Sequence, residues 1–196
     1  MKQLMYSLGL MGLLLTPLGA WANVSPGEPA PAFRAADATG HPHTLSDYIG
    51  DWIVLEWFHP GCDANKELYE SGELQELQAR FKEQGIQWLT LVSSPPGPDN
   101  VLSEEEAVAL AEEYDSQAAA PFLLDETGVV ALAYGIDTAP KFFLMNPQGT
   151  VVYMGALREE GGDSESNLIE TALAEILDGG DVTTPSTTTY GCEIDD

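Results

Sequence analysis

Four residues of this 196-residue chain could do chemistry by their type and spacing: Cys62, Cys192, Glu56 and His59. Cys62 sits in WFHPGCDAN, directly after the apolar run Trp52 to Phe58 and before a helical pattern. At a strand-to-helix junction the backbone N–H groups point outward and stabilise a thiolate, the nucleophilic form of sulfur. Cys192, in the terminal TTTYGCEIDD, is the only other cysteine. Glu56 interrupts the apolar run. Burial there would raise its pKa and suit proton transfer near neutral pH; an edge-exposed acid, or one paired with a buried base, is the plainer alternative. His59, three residues before Cys62, would lower the thiol pKa if protonated, whereas Asp63 and Glu67 would oppose it.

The surrounding elements follow from the periodicity. Trp52 to Phe58 reads as a strand buried on both faces, as in a parallel sheet. Leu68, Leu74, Leu77 and Phe81 recur at helical intervals, so a helix is expected over 64–84, weakened at Gly72 and stopped by Gly85. Phe33 to Leu45 forms a short hairpin around Asp37 to Gly40, then Ser46 to Gly50 one helical turn. A second apolar strand spans 86–92, followed by a Pro-rich loop over 93–98. Ser103 and Glu106 have capping-box spacing for a helix to about Ser116. A short strand at 122–124 and a short helix at 129–134 come next. Phe142 to Met145, the turn Asn146 to Gly149, and Val151 to Met154 make an antiparallel hairpin. A last helix spans 166–177, and 179–196, Thr-rich and without period, is a flexible tail. Alternating strands and helices followed by a hairpin and a helix predict an α/β protein, a mixed central sheet flanked by helices on both faces.

The first 22 residues carry an address. Lys2, the apolar stretch Leu4 to Leu18, and Ala20-Trp21-Ala22 have the layout of a signal peptide cleaved after Ala22. The apolar stretch is short for a membrane span, which needs ~20 residues. An exported, soluble, periplasmic protein without stable membrane association after cleavage is expected, in a space where disulfides persist and two cysteines can pair. Seven basic against 32 acidic residues, a net charge of −25, argue against nucleic acid or an anionic membrane as partner. The acids are scattered without EF-hand spacing, so they do not mark a cation site.

The lead-in GEPAPAF, the strand VLEWF running into a cysteine, DTAPKFFL with its Pro140, and the NPQG hairpin together resemble the thioredoxin fold. More narrowly, the chain resembles redoxins of the thioredoxin-like and AhpC/TSA superfamily, over 23–178. The tail, with YGC, is similar to the end of a group of exported redoxin-domain proteins. The resemblance implies that Cys62 is the nucleophile, that Pro140 is a cis-proline beside its sulfur, exposing backbone to an extended thiol-bearing substrate, and that Glu56 is the buried acid that moves protons.

The departures narrow this reading. Thioredoxins have CxxC, but Asn65 stands three residues after Cys62, so the local disulfide cannot form and Cys192 is the only resolving thiol within the chain. Fourteen residues from Asp178 reach more than ~40 Å at ~3.3 Å per residue, so distance is no obstacle. Peroxidatic redoxins have PxxxTxxC and an arginine. Here Leu55, His59 and Pro140 occupy those positions, and Arg158 as a substitute is more commonly a solvated charge. His59 and Cys62 form an HxxC pair like ligands in copper-delivering relatives, but the CxxxC of those relatives and a third donor are missing. His41 and His43 are expected to face solvent, and neither metal nor cofactor is expected.

Three functions stay open. The first is an exported thiol–disulfide oxidoreductase, with Cys62, Cys192, Glu56 and Pro140 as its machinery and His59 and Asn65 as modulators. Its partners would be protein or small-molecule thiols and disulfides and an electron donor. The second is a peroxide reductase passing through a Cys62 sulfenic acid. The third is a non-enzymatic module in which a Cys62–Cys192 disulfide pins the tail over the old site.

Overall fold

A computed structural model describes residues 24–93, 103–114, 120–159, 161 and 166–194. The expected signal peptide and the Pro-rich loop from Ser94 onward lie outside these residues. The strands are β1 (Arg34–Asp37), β2 (Pro42–Thr44), β3 (Ile53–Trp57), β4 (Gln87–Ser93), β5 (Phe122–Asp125), β6 (Thr138–Ala139), β7 (Lys141–Met145), β8 (Val151–Gly155) and β9 (Cys192–Glu193). The helices are α1 (Asp63–Glu70), α2 (Glu73–Glu83), α3 (Glu104–Glu113), α4 (Val129–Tyr134) and α5 (Leu168–Leu177). Seven strands form one sheet in the order β2-β1-β5-β4-β3-β7-β8, and β6 pairs with β9 in a separate two-stranded ladder.

β3 lies inside the sheet, parallel to β4 and antiparallel to β7. Every residue of β3 is buried, because strands flank it and helices cover both faces. Its alternation splits the interior in two. Val54 joins Leu74, Leu77 and Phe81 of α2 and Ile169 and Leu173 of α5. Ile53, Leu55 and Trp57 join Val130, Ala131 and Tyr134 of α4 on the other face. Glu56 therefore points to the α1/α2 side, like its neighbours Val54 and Trp88.

The N-terminal hairpin, the capping box at Ser103 and Glu106, α4 and the β7–β8 hairpin match the periodicity. The single helix expected over 64–84 is two helices. Gly72, with φ +79°, adopts a left-handed conformation that L side chains resist, and it caps the start of α2.

Of the tail expected to be flexible over 179–196, the described residues through Ile194 make hydrogen bonds to the domain. Thr183 N–H donates to Glu175 Oε2 at 2.8 Å. Met154 N–H donates to the Pro185 carbonyl at 3.0 Å, and the Met154 carbonyl accepts from Thr187 N–H at 3.1 Å. Thr187 Oγ1 takes the Ala156 N–H at 3.0 Å and bonds the Tyr153 hydroxyl at 2.7 Å. Gly155 makes this approach feasible, since a Cβ there would stand 2.1 Å from Thr187 Oγ1. Such docking is not read from hydrophobic periodicity, because backbone groups, hydroxyls and the Glu175 carboxylate carry the hydrogen bonds, and Val182 and Ile194 pack on the core as isolated apolar residues without a period.

Candidate active site

Cys62 is the N-cap of α1, with extended backbone (φ −91°, ψ 120°) and no solvent exposure. The loop before it is held by its own polar groups. Cys62 N–H donates to the His59 carbonyl at 3.0 Å, His59 N–H to Asn65 Oδ1 at 3.1 Å, and Gly61 N–H to His59 Nδ1 at 2.9 Å. His59 Nδ1 is thus the acceptor that holds the Gly61 amide in the loop. Asn65, wholly buried one turn into α1, fixes the loop through Oδ1, while its Nδ2 has no hydrogen-bond partner among the described residues.

The Cys62 sulfur is bonded to that of Cys192, 130 residues away, with the Cα atoms 5.6 Å apart. Cys62 Sγ also lies 3.4 Å from the Ala139 carbonyl oxygen, a contact that becomes a hydrogen-bond position once the sulfur is a thiol. The Ala139–Pro140 peptide bond is cis, the geometry the resemblance implies. Cys192 reaches the site as part of a strand: β9 runs antiparallel to β6 with Ala139 opposite Cys192 and Thr138 opposite Glu193. Ile194 N–H extends the pairing to the Asp137 carbonyl at 3.0 Å. The structure thus joins Cys62, Cys192 and Pro140 at one point.

Glu56 occupies a separate chamber and is fully buried. Its Oε2 accepts from Trp88 Nε1 at 2.8 Å, Thr90 Oγ1 at 3.1 Å and Gln78 Nε2 at 3.3 Å, and Oε1 accepts from the Tyr69 hydroxyl at 2.9 Å. Burial pushes its pKa up to about 7, against these hydrogen bonds, which favour the carboxylate. The same burial, reinforced by the Glu56 charge, lifts Tyr69 well above its ordinary value. The carboxyl is therefore neither edge-exposed nor paired with a buried base; it can hold or release a proton near neutral pH. Sequence reasoning missed its partners, although Thr90 in an apolar strand and Gln78 in the buried stripe of α2 were the available signals.

Two expectations about side chains at the periphery need correction. His43 is not solvent-facing: its Nε2 is 3.0 Å from Asp37 Oδ2 and its Nδ1 meets the Tyr48 hydroxyl. Burial opposes the Asp37 charge, but bonds from His43, Thr39 and the His41 backbone outweigh it and hold the carboxyl below the usual range. Arg158 is not a solvated charge. It is 17% exposed, ion-paired with Glu73 at the start of α2. It lines a cleft of about 360 Å³ with Ala64, Leu68, Pro140, Leu157 and Tyr190, on the Pro140 side of the bridge.

Comparison with known proteins places this arrangement. A thiol-disulfide oxidoreductase ResA from Geobacillus kaustophilus is 30% identical over 139 residues, covering 70% of this chain and 74% of that protein. An uncharacterized conserved protein from the same species superposes with a TM-score of 0.74 at 25% identity, over 87% of this chain and 92% of that one. The thioredoxin domain of a thiol-disulfide oxidoreductase from Bacteroides vulgatus gives a TM-score of 0.56 at 22% identity, over 67% and 89%. Residues 26–154, more than half of the chain, match the AhpC/TSA family. With its mixed sheet covered on both faces and its cysteine capping α1, the chain belongs to the AhpC/TSA family and has a thioredoxin-like fold.

Proposed function

We propose that the protein is an exported thiol–disulfide oxidoreductase in which Cys62 is the nucleophile and Cys192 the resolving thiol. The observation that carries the reading is the Cys62–Cys192 bridge at the N-terminus of α1 beside cis-Pro140. A helix N-terminus stabilises the Cys62 thiolate both as nucleophile and as leaving group. The similarity to thiol-disulfide oxidoreductases supports the same chemistry.

In the oxidative direction for the protein, Cys62 thiolate attacks one sulfur of a substrate disulfide, and the other substrate sulfur leaves as a thiolate. Cys192 thiolate then attacks Cys62 Sγ, the mixed bond breaks, and the second substrate thiolate leaves. The substrate gains two electrons and the protein becomes the bridged form. A donor dithiol reverses these exchanges and restores both thiols. Glu56 takes up and returns the proton of a cysteine thiol, with the Tyr69 hydroxyl as its neighbour on α1. His59 and Asn65 shape the loop that presents Cys62.

Titration against a glutathione redox buffer, read by non-reducing mass spectrometry, tests the assignment. A bridge that opens and closes reversibly, with turnover of a model disulfide lost in Cys192→Ser, is expected. A bridge that mild thiols cannot open is a structural staple and overturns the enzymatic reading. The export assignment is tested by mass: the secreted chain begins at Asn23.

A further inference from the structure

The tail does more than deliver a sulfur. Its last described segment lies in the site as an extended peptide, paired antiparallel to the backbone that precedes cis-Pro140, with its cysteine sulfur bonded to Cys62. The residue before that cysteine meets an unusual restriction. Gly191 has φ +152°, and a Cβ built on it would stand 2.0 Å from the Ala139 carbonyl oxygen, 2.8 Å from the Ala139 carbonyl carbon and 3.0 Å from Pro140 Cδ. Two of these atoms are backbone, so a rotamer change cannot relieve the overlap, and φ in this range is costly for any L residue. The position after the cysteine carries no such limit: Glu193 is exposed. Tyr190, on the other side, lines the cleft beside Pro140 and Arg158.

Only the distal part of the tail must leave to open this groove. Thr187 is held at Tyr153 and Ala156 independently of the bridge. The pairing beyond it is short, consisting of the β6–β9 ladder and the Ile194 bond, so the disulfide is its main fastening.

We propose that Tyr190 to Glu193 is a built-in occupant of the substrate groove, and that the groove selects extended polypeptide segments with glycine immediately before the reacting cysteine. This rests on the exchange role proposed for Cys62. Reduction of the bridge frees the groove, and an incoming Gly-Cys segment takes the tail's place. Segments with any side chain at the preceding position are disfavoured by the Ala139 carbonyl.

The test uses the full mature chain carrying Cys192→Ser, which leaves Cys62 as its only thiol. Three probes carry the same coloured aromatic thiol as a mixed disulfide: a peptide of sequence TYGCEI, the same peptide with alanine in place of glycine, and N-acetylcysteine amide. Cys62 thiolate attacks the probe cysteine sulfur, the probe S–S bond breaks, and the aromatic thiolate leaves with the electron pair, so colour reports the step. The glycine peptide is expected to react at least tenfold faster than the alanine peptide. Equal rates for the two peptides, with the amide also reacting, overturn the selectivity and leave the exchange role of Cys62 intact. No reaction with any probe overturns that role and the selectivity with it. A second measurement avoids dependence on the folding of that variant: in Gly191→Ala with both cysteines present, the glutathione concentration that half-opens the bridge should fall at least tenfold in thiol-to-disulfide ratio. An unchanged midpoint overturns the proposal.

Discussion

The Glu56 chamber and the Cys62–Cys192 junction lie in one domain but are held in opposite ways. Glu56 sits on a central strand, walled by β4, α1 and α2, with four donors closing on its two oxygens. The junction is assembled from a loop, a two-residue strand and a tail, fastened by one covalent bond and a short ladder. A group that must keep a perturbed pKa needs surroundings that do not move, because water entering the chamber would erase the desolvation. A group that must exchange partners needs surroundings that do. In the proposed function the contrast separates a group that moves protons from a pair that moves electrons, and each is perturbed by its own substitutions.

Removing the covalent fastening has the largest expected effect. Closing a loop of 130 residues stabilises a chain by about 5 kcal/mol in the chain-entropy account. Cys192→Ser should therefore lower the denaturant midpoint by the equivalent of about 3–5 kcal/mol relative to the oxidised protein, and abolish turnover of a model disulfide. An unaltered midpoint would mean that the unfolded chain is already compact where the bridge would constrain it.

The chamber responds to pH instead. Glu56 is shifted from 4.5 to about 7 in the folded state, so the native protein holds a proton that the unfolded chain has released between these values. Its contribution is fully present below pH 4.5, is lost as pH rises to about 7, and is constant above, a decline of about 3 kcal/mol. Glu56→Gln should remove this slope, visible as a difference between variant and wild type in urea unfolding at pH 4.5 and pH 8. It should also flatten any inflection near pH 7 in the exchange rate. A retained inflection would assign that titration to another group.

The tail's noncovalent anchor ranks below both. Gly155→Ala puts a methyl group against Thr187 Oγ1 and against its backbone oxygen and nitrogen at 2.7 and 2.9 Å, at a φ of +145°. The expected loss is about 1–3 kcal/mol, with proteolysis after 187 accelerated in the reduced protein and much less in the oxidised one. Equal proteolysis in both states would show that the anchor contributes nothing once the bridge is open.

The smallest effect belongs to the loop that joins the two regions. Asn65→Ala removes the acceptor for the His59 N–H and leaves that donor to the solvent side, at a cost of about 1 kcal/mol. Hydrogen exchange of the His59 amide should quicken while the Trp88 indole, inside the chamber, stays protected. Loss of protection at both would mean that the two regions are not independent.

Much of this contrast was legible along the chain. The apolar run with one acid in it announced a buried carboxylate, since burial on both faces of β3 needs no knowledge of which strands flank it. Cys62 between that run and a helical pattern announced a helix cap. Pro140 and the absence of a second cysteine at Asn65 pointed to a site that needs a distant partner. The donors around Glu56 were not legible, because Tyr69, Gln78, Thr90 and Trp88 come from three elements and converge only when α1 and α2 pack on the sheet. The break at Gly72 was underestimated, since helix periodicity continues through it on the buried face.

The tail marks the boundary most clearly. By itself the sequence determined that two thiols exist, that one caps a helix and that the other stands within reach. That the tail docks at Thr187, pairs β9 with β6 and leaves no room for a side chain at Gly191 was decided by the tertiary structure alone. Backbone hydrogen bonds and close approaches between distant segments carry no residue pattern, because every residue has the same N–H and C=O to offer.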